Sequence, residues 1–373
     1  MQFFRTNIST FDFEPLIVAM AESDSELNLS QNPFLPGLIG KTMNWPVVRL
    51  LFLAGDRPVA WFAAINTQKE WFSLPHFNNG AFWFHKTNLN NWILQHHPGY
   101  PIDDEIFFRH FINREKWYDK TSGLDQMWVV SLNPDDLDDW SQEYFSIPNL
   151  RYRCYLPLLP NTLGHKTDSL LRLKEKDDLQ WKSFTRDVRY KIGKAARIGI
   201  TIRGGGVELL EDFYTVYRRN IHQLGSIGLP FHFFSVLMTN YTGGTATVLV
   251  AYFGDKPVGS AILLSWLHYA ENPWFATLRK FNRLFVSYSL HWEMIRLAIQ
   301  DGCKVYSFGH STKESGVHHY KHQWGALDRT IYLNSNEPLK DELKKIQYLR
   351  RIIRLLPLSF AKRMDALVAG KYY

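Results

Sequence analysis

The sequence predicts a mixed α/β chain of the α+β kind, with helices flanking sheets that are mixed and largely antiparallel. Three observations carry this: apolar strand runs punctuated by Gly and Pro, helical periodicity between them, and three strand runs in succession over residues 245–277 that read as an antiparallel meander. Hydrophobic residues at 45% and charged residues at 21% of 373 are the balance of an ordinary folded chain, long enough for two or three domains. The sequence has no short fixed-period repeat, which excludes solenoids and propellers.

In the first half a helix is expected over residues 11–21. Residues 46–65 read as a hairpin turning at Gly55-Asp56-Arg57-Pro58, with strands near 80–84 and 126–131 and helices near 89–97, 103–113 and 136–144. The stretch around 152–166 carries two prolines, an Asn and a Gly, and is expected to cross between the halves. Residues 177–198 keep Leu179, Trp181, Phe184, Val188, Ile192, Ala195 and Ala196 at near-helical spacing, with acids first and bases last, as the helix dipole prefers; Gly199 ends the run. Beyond it a strand is expected at 200–203, helices at 208–222 and 231–241, and strands at 245–253 and 256–267 joined by Gly254-Asp255. A strand at 269–277, a helix at 284–300 and strands at 304–308 and 329–333 complete the pattern.

Charge is unevenly placed. Of the net +7, residues 340–373 hold nine Lys/Arg and three Asp/Glu, a net of +6, which leaves the other 339 residues at +1. A nearly neutral body offers no field for a DNA partner, whereas the basic tail suits an anionic membrane surface or an RNA. Cys154 and Cys303 have neither metal-type spacing nor a disulfide pattern, which points to a reducing compartment. With no signal-type start and no apolar run of about 18 residues, a cytoplasmic location is expected, peripheral at the inner membrane face if the tail binds lipid.

Four stretches resemble the Fem family of peptidoglycan-bridge aminoacyltransferases, most closely the FemAB-related type that accompanies exosortase/PEP-CTERM exopolysaccharide systems. They are RDVRYKIGKAARIGI (186–200), DFYTVYRRNIHQLGSIGLP (212–230), ENPWFATLRKFNRL (271–284) and YSFGHSTKESGVHHYKHQWGA (306–326); the similarity spans about 179–333, with a fainter trace in NPFLPGLIG (32–40). The resemblance implies tandem GNAT-like domains, placed over 1–160 and 161–338, and the residues beyond them, 339–373, read as a basic amphipathic helix. It also implies transfer of an acyl or aminoacyl group, from acyl-CoA or aminoacyl-tRNA, to an amine or hydroxyl of a lipid- or nucleotide-linked cell-envelope glycan precursor, without a metal. Where such relatives carry Asp, Arg and Asn, this chain has Ser307, His310 and Ser287, so that smaller or titratable groups replace stronger polar ones.

Acyl transfer needs a proton acceptor and donors aimed at a developing oxyanion. Lys321 matches the Lys of the family's aromatic-Lys pair and is expected to meet donor phosphates or that oxyanion, the alternative being a surface Lys on a short helix. His310, just after a strand end, is either a general base or a structural His. Ser307 and Ser311 are candidate hydrogen-bond donors to substrate, or caps of the strand end. Arg189, Lys191 and Lys194, with Arg186 and Arg197, form a basic helix that is either an anion cradle or a solvated face, and Arg279, Lys280 and Arg283 lie beside an expected helix start, where anions bind. Tyr214 and Trp324 complete the candidate substrate contacts, although Trp324, like Tyr320, is expected first to pack beneath its segment.

The CoA-type Gln/Arg-x-x-Gly-x-Gly/Ala loop is absent, so the donor stays open between acyl-CoA and aminoacyl-tRNA. Gly204-Gly205-Gly206 is expected as a plain turn rather than a phosphate nest. His318 and His322 are four apart, but no acid or Cys falls within zinc-type spacing of them. Leu343, Ile346, Leu349, Ile352, Ile353 and Leu356 form one face of a basic helix that either lies on an anionic leaflet or docks on the body, before Pro357 ends or kinks it. The leading expectation is therefore an acyltransferase; the alternatives are a glycan- or partner-binding protein that kept the fold without the chemistry, and RNA binding through the tail.

Overall fold

A computed structural model of the chain describes residues 2–23, 27–67, 70–96, 124–132, 150–159, 161–338 and 352–356. The helices expected at 103–113 and 136–144 and most of the tail lie outside the described residues. The chain divides into two compact units, Met1–His165 with Ile331–Leu339, and Lys166–Thr330 with Lys340–Tyr373.

In the first unit, strand β1 (Gln2–Thr6) precedes helices α1 (Glu14–Glu22) and α2 (Leu35–Met43), each entered through a proline in its first turn, where a missing N–H costs nothing. The expected hairpin follows as β2 (Val47–Ala54) and β3 (Arg57–Asn66), turning at Gly55, whose φ of 60° suits a residue without Cβ. Then come β4 (Trp71–Phe72), β5 (Ala81–Phe84), helix α3 (Lys86–His96), β6 (Asp125–Leu132) and β7 (Leu150–Cys154). The strands run in the order β1-β6-β2-β3-β4-β7, with β5 also on β3; β2 lies parallel to β6 and antiparallel to β3. Leu50, Phe52, Val59, Phe62 and Tyr152 fill the core between them. Between β4 and β5, Leu74 and His76 adopt left-handed backbone, with φ of 56° and 75°. The His76 ring stacks on Trp45, its Nε2 is fully covered, and burial, helped by Arg153, pushes its pKa down to about 3.

Strand β8 (Asn161–Arg172) leads from the first unit into the second, which continues with helices α4 (Asp177–Ser183) and α5 (Arg186–Ile198), strand β9 (Ile200–Gly205), and helices α6 (Leu210–Leu224) and α7 (Phe231–Asn240). The meander is β10 (Ala246–Phe253), β11 (Lys256–Trp266) and β12 (Tyr269–Thr277), followed by helix α8 (Val286–Gln300), strand β13 (Val305–Thr312), helix α9 (Gly316–His322) and strand β14 (Leu327–Ser335). The order is β8-β13-β12-β11-β10-β9, antiparallel except for β12 and β13. The end of β14, within the first unit, pairs with β7 through Tyr332 and Cys154. Both units therefore carry a mixed, largely antiparallel sheet with flanking helices, as the sequence predicts.

Four expectations change in detail. The helix expected at 177–198 breaks at Phe184 and Thr185: Phe184 turns extended to enter the core, and the Thr185 hydroxyl caps the new helix by accepting from the Val188 N–H at 3.3 Å. The three-glycine turn is in large part strand, since Gly204 and Gly205 pair with Leu249 and Val248; a Cβ on Gly205 would lie 2.1 Å from Glu208 Oε1, which accepts the Gly206 N–H. β13 runs past residue 308 to Thr312. The crossing near 152–166 begins in β7 and ends in β8, with residues 155–159 irregular between them.

Helix α8 lies directly over β11 at Gly259, where a Cβ would stand 2.5 Å from Val286 Cγ1 and 2.8 Å from Leu290 Cδ1. Gly259→Ala should therefore overpack this contact and cost about 1–3 kcal/mol, read as a lowered urea midpoint; an unchanged midpoint would contradict the close approach. The described part of the tail docks on the second unit. Ile353 is buried, Arg354 donates to the Leu224 carbonyl at 3.2 Å, and His222 Nε2 meets the Leu356 carbonyl at 2.8 Å, both at the C-terminal end of α6. Leu355 stays 85% exposed. Among the described residues no helix is long and apolar enough to cross a membrane.

Candidate active site

The parallel strands β12 and β13 pair only through Tyr269–Val305, Ala270–Tyr306 and Glu271–Ser307. Beyond Glu271 and Ser307 they continue without pairing, so the sheet opens at that point and leaves backbone groups of both strands available. Polar side chains, all buried, gather at the fork. Ser307 Oγ donates to Asp168 Oδ1 at 2.6 Å and accepts the Gly309 N–H at 3.0 Å, and Tyr269 approaches Asp168 Oδ2 at 3.5 Å. The register against β8 shifts between Ser307 and His310, and Gly309, with φ of 77°, forms that bulge.

Lys321 lies under the bulge. It is 4% exposed, and its Nζ donates to the Gly309 carbonyl at 2.5 Å. Burial pushes its pKa down to about 8, against the pull of Asp168, Glu271 and Asp328, while Lys166 adds to the lowering. This is not a surface lysine: a short helix capped by Ser315, whose Oγ accepts the His318 N–H at 3.2 Å, turns it inward. Behind it, His291 is sandwiched against Phe275 at 4.4 Å and bonds Tyr306 Oη at 3.0 Å through Nδ1; burial first, and the Lys321 charge second, hold its pKa well below 6.5.

The other expected residues divide into several groups. Ser311 is buried, and its Oγ has no hydrogen-bond partner among the described residues. His310 lies inside β13 rather than after a strand end, exposed and opposite Asp168 in the ladder. Lys191 is tied to Asp187 at 2.6 Å, Tyr288 Oη at 3.0 Å and Gln323 at 3.3 Å, and Lys194 sits 5.4 Å from the Phe285 ring at the start of α8. Arg189 instead donates to the Lys182 carbonyl of the preceding helix. Arg279 is exposed on the short 3-10 turn Arg279–Leu284 that leads into α8, with Lys280 5.0 Å from the Phe281 ring.

Trp324 and Tyr214 are core residues rather than substrate contacts. Trp324 packs on Phe184 and stacks on Tyr288, and Tyr214 packs on Phe231 and Phe234. Asp168 and Glu271 are the site residues that sequence reasoning missed. Both are carboxylates inside strands, and a charged residue within an apolar strand run is the signal that finds such groups.

Residues 182–322 match the family of acetyltransferase (GNAT) domains. The matched range lies within the second unit. No curated protein matches the sequence. In fold the chain is similar to the crystal structure of FemX, with a TM-score of 0.55 at 10% identity over 93% of this chain and 99% of that one. More remote similarities are to a tandem GNAT protein from the clavulanic acid biosynthesis pathway (TM-score 0.44, 10% identity, 91% and 99% covered) and to the C-terminal domain of a lysylphosphatidylglycerol synthetase from Agrobacterium fabrum (0.44, 9%, 95% and 95%). The fold is thus similar to that of FemX. Within the matched range lie Glu271, Ser307 and Lys321, while Asp168 and Asp328 come from the strands just outside it.

Proposed function

We propose that this chain transfers an acyl or aminoacyl group, carried by acyl-CoA or aminoacyl-tRNA, to an amine or hydroxyl of a cell-envelope glycan precursor, lipid- or nucleotide-linked, at the cytoplasmic face of the membrane. The observation that carries the reading is the fork between β12 and β13, with Lys321, Asp168, Ser307 and Glu271 buried where it opens. An extended thioester or ester chain entering the fork pairs with the unpaired strand edges, and its carbonyl comes toward the donors of the bulge. Lys321 supplies positive charge for the developing oxyanion, held in place through Gly309; the acceptor proton passes to His310 or to water, and collapse of the oxyanion breaks the carbonyl–sulfur or carbonyl–oxygen bond, releasing the CoA thiol or the tRNA hydroxyl, which takes up a proton.

Phosphates of the donor fit the start of α8. Phe285 there is left-handed, with φ of 60°, and no side chain caps the helix at the Val286 and Ser287 N–H groups, while Lys194 approaches the Phe285 ring and Arg279, Lys280 and Arg283 lie on the turn that leads in. Ser307 bonded to Asp168 offers a physical account of its departure from the family pattern: the carboxylate comes from the neighbouring strand and reaches the same spot through a hydroxyl.

Calorimetric titration of acetyl-CoA, free CoA and a charged aminoacyl-tRNA into the full chain tests this reading. Saturable binding of one donor class, weakened at least tenfold by Lys194→Glu together with Arg279→Glu, is the expected result. Failure of every donor to bind moves the non-catalytic, glycan- or partner-binding reading to the front.

A further inference from the structure

The sequence offers the His318 and His322 pair no acid at zinc-type spacing, but the fold supplies one. Strand β14 brings Asp328 against the face of α9 that carries both rings. His318 Nε2 lies 2.5 Å and His322 Nε2 3.0 Å from the same oxygen, Asp328 Oδ2, and all three donor atoms fall within 4.8 Å of one another. Two imidazole nitrogens and a carboxylate are the donor set of a zinc-class ion. A tetrahedral ion with bonds near 2.0–2.1 Å separates its ligand atoms by roughly 3.3 Å, so closing around one needs only small rotations of these side chains.

The surroundings favour a held site with an open position. The His318 side chain is 6% exposed and fixed by packing on His322, with ring centroids 4.5 Å apart, whereas the His322 side chain is 44% exposed and Asp328 25%, which leaves one side open to solvent. Ser169, buried on β8, approaches the other oxygen of Asp328 at 3.3 Å, which orients the carboxylate from behind. In the metal-free chain the Glu314 N–H donates to His318 Nδ1 at 3.2 Å, so the ring carries its proton on Nε2 and gives it to Asp328. Ligation through Nε2 moves that proton to Nδ1, and the Glu314 N–H, in an exposed turn, passes to water.

We propose that His318, His322 and Asp328 form a binding site for a zinc-class divalent metal that clamps α9 to β14. The site belongs to this pair of elements and does not depend on the acyl-transfer reading.

The test uses the full chain, stripped with a chelator and titrated with zinc by calorimetry, with cobalt absorbance reporting coordination geometry. The expected result is one zinc per chain, tetrahedral cobalt bands, and a zinc affinity that falls at least tenfold in both His322→Gln and Asp328→Asn; magnesium, which prefers oxygen ligands, does not compete. Thermal melting of each metal-free variant checks that it folds. In a parallel titration followed by NMR the Glu314 amide resonance should move with zinc occupancy in the wild type and in His319→Gln alike, since the shift follows the release of His318 Nδ1. Absence of zinc binding by the wild type, or equal binding by wild type and both folded variants, would overturn the proposal.

Discussion

Lys321→Met should lower acyl transfer by about 10²–10³-fold, the loss seen when one preorganised donor to an oxyanion is removed. Methionine keeps the length and apolar body of the side chain but deletes the ammonium that holds Gly309 and faces Asp168 and Glu271. The same change should lower stability by about 3–5 kcal/mol, because two buried carboxylates lose the Lys321 charge that acts on them. Rates must therefore be compared well below the melting temperature of the variant. Addition of Asp168→Asn should recover part of the stability and none of the rate. A single variant that folds and turns over as the wild type does would show that Lys321 only packs.

Acid should loosen both units while their carboxylates are still largely ionised. His76, held at a pKa of about 3 by burial in the folded chain, returns to about 6.5 on unfolding. Below pH 6.5 the unfolded chain takes up a proton that the folded chain refuses. The contribution of His76 is thus fully present above pH 6.5 and is lost at about 1.4 kcal/mol per pH unit as pH falls toward 3, or about 2 kcal/mol at pH 5. His291 shifts in the same direction and adds a second loss in the other unit. Urea midpoints measured at pH 7.5 and 5.0 should separate in the wild type and draw closer in His76→Gln. A gap of equal size in both proteins would assign the acid sensitivity to other groups.

Much of the second unit is legible in the sequence because its strands and helices obey simple rules. The strand expected at residues 269–277 turns out as β12, and Gly199 and Gly254 stop their elements as left-handed glycines do. The misses have local causes. Thr185 is a capping residue hidden inside an uninterrupted helical periodicity, and only its Thr-Arg-Asp start marks the break. β8 hides behind Pro157, Pro160 and Gly164, so Asp168 went unplaced although it is the carboxylate that holds Ser307. Asp328 could not be matched to His318 and His322 by spacing, since a turn and a change of element intervene. Motif resemblance found Lys321, but only the fold shows that it is buried. Aromatic residues named as substrate contacts, Trp324 and Tyr214, were drawn inward by the same apolar area that made them conspicuous.

The most direct test of the account is backbone hydrogen exchange of the full chain with and without a saturating donor that calorimetry has shown to bind. Slowed exchange confined to residues 272–277 of β12, 308–312 of β13 and the first turn of α8 is the predicted result, because the donor would pair with the open strand edges and place its phosphates on that helix start. A donor that binds with full occupancy yet leaves those amides unchanged would contradict the assignment of the fork as the transfer site.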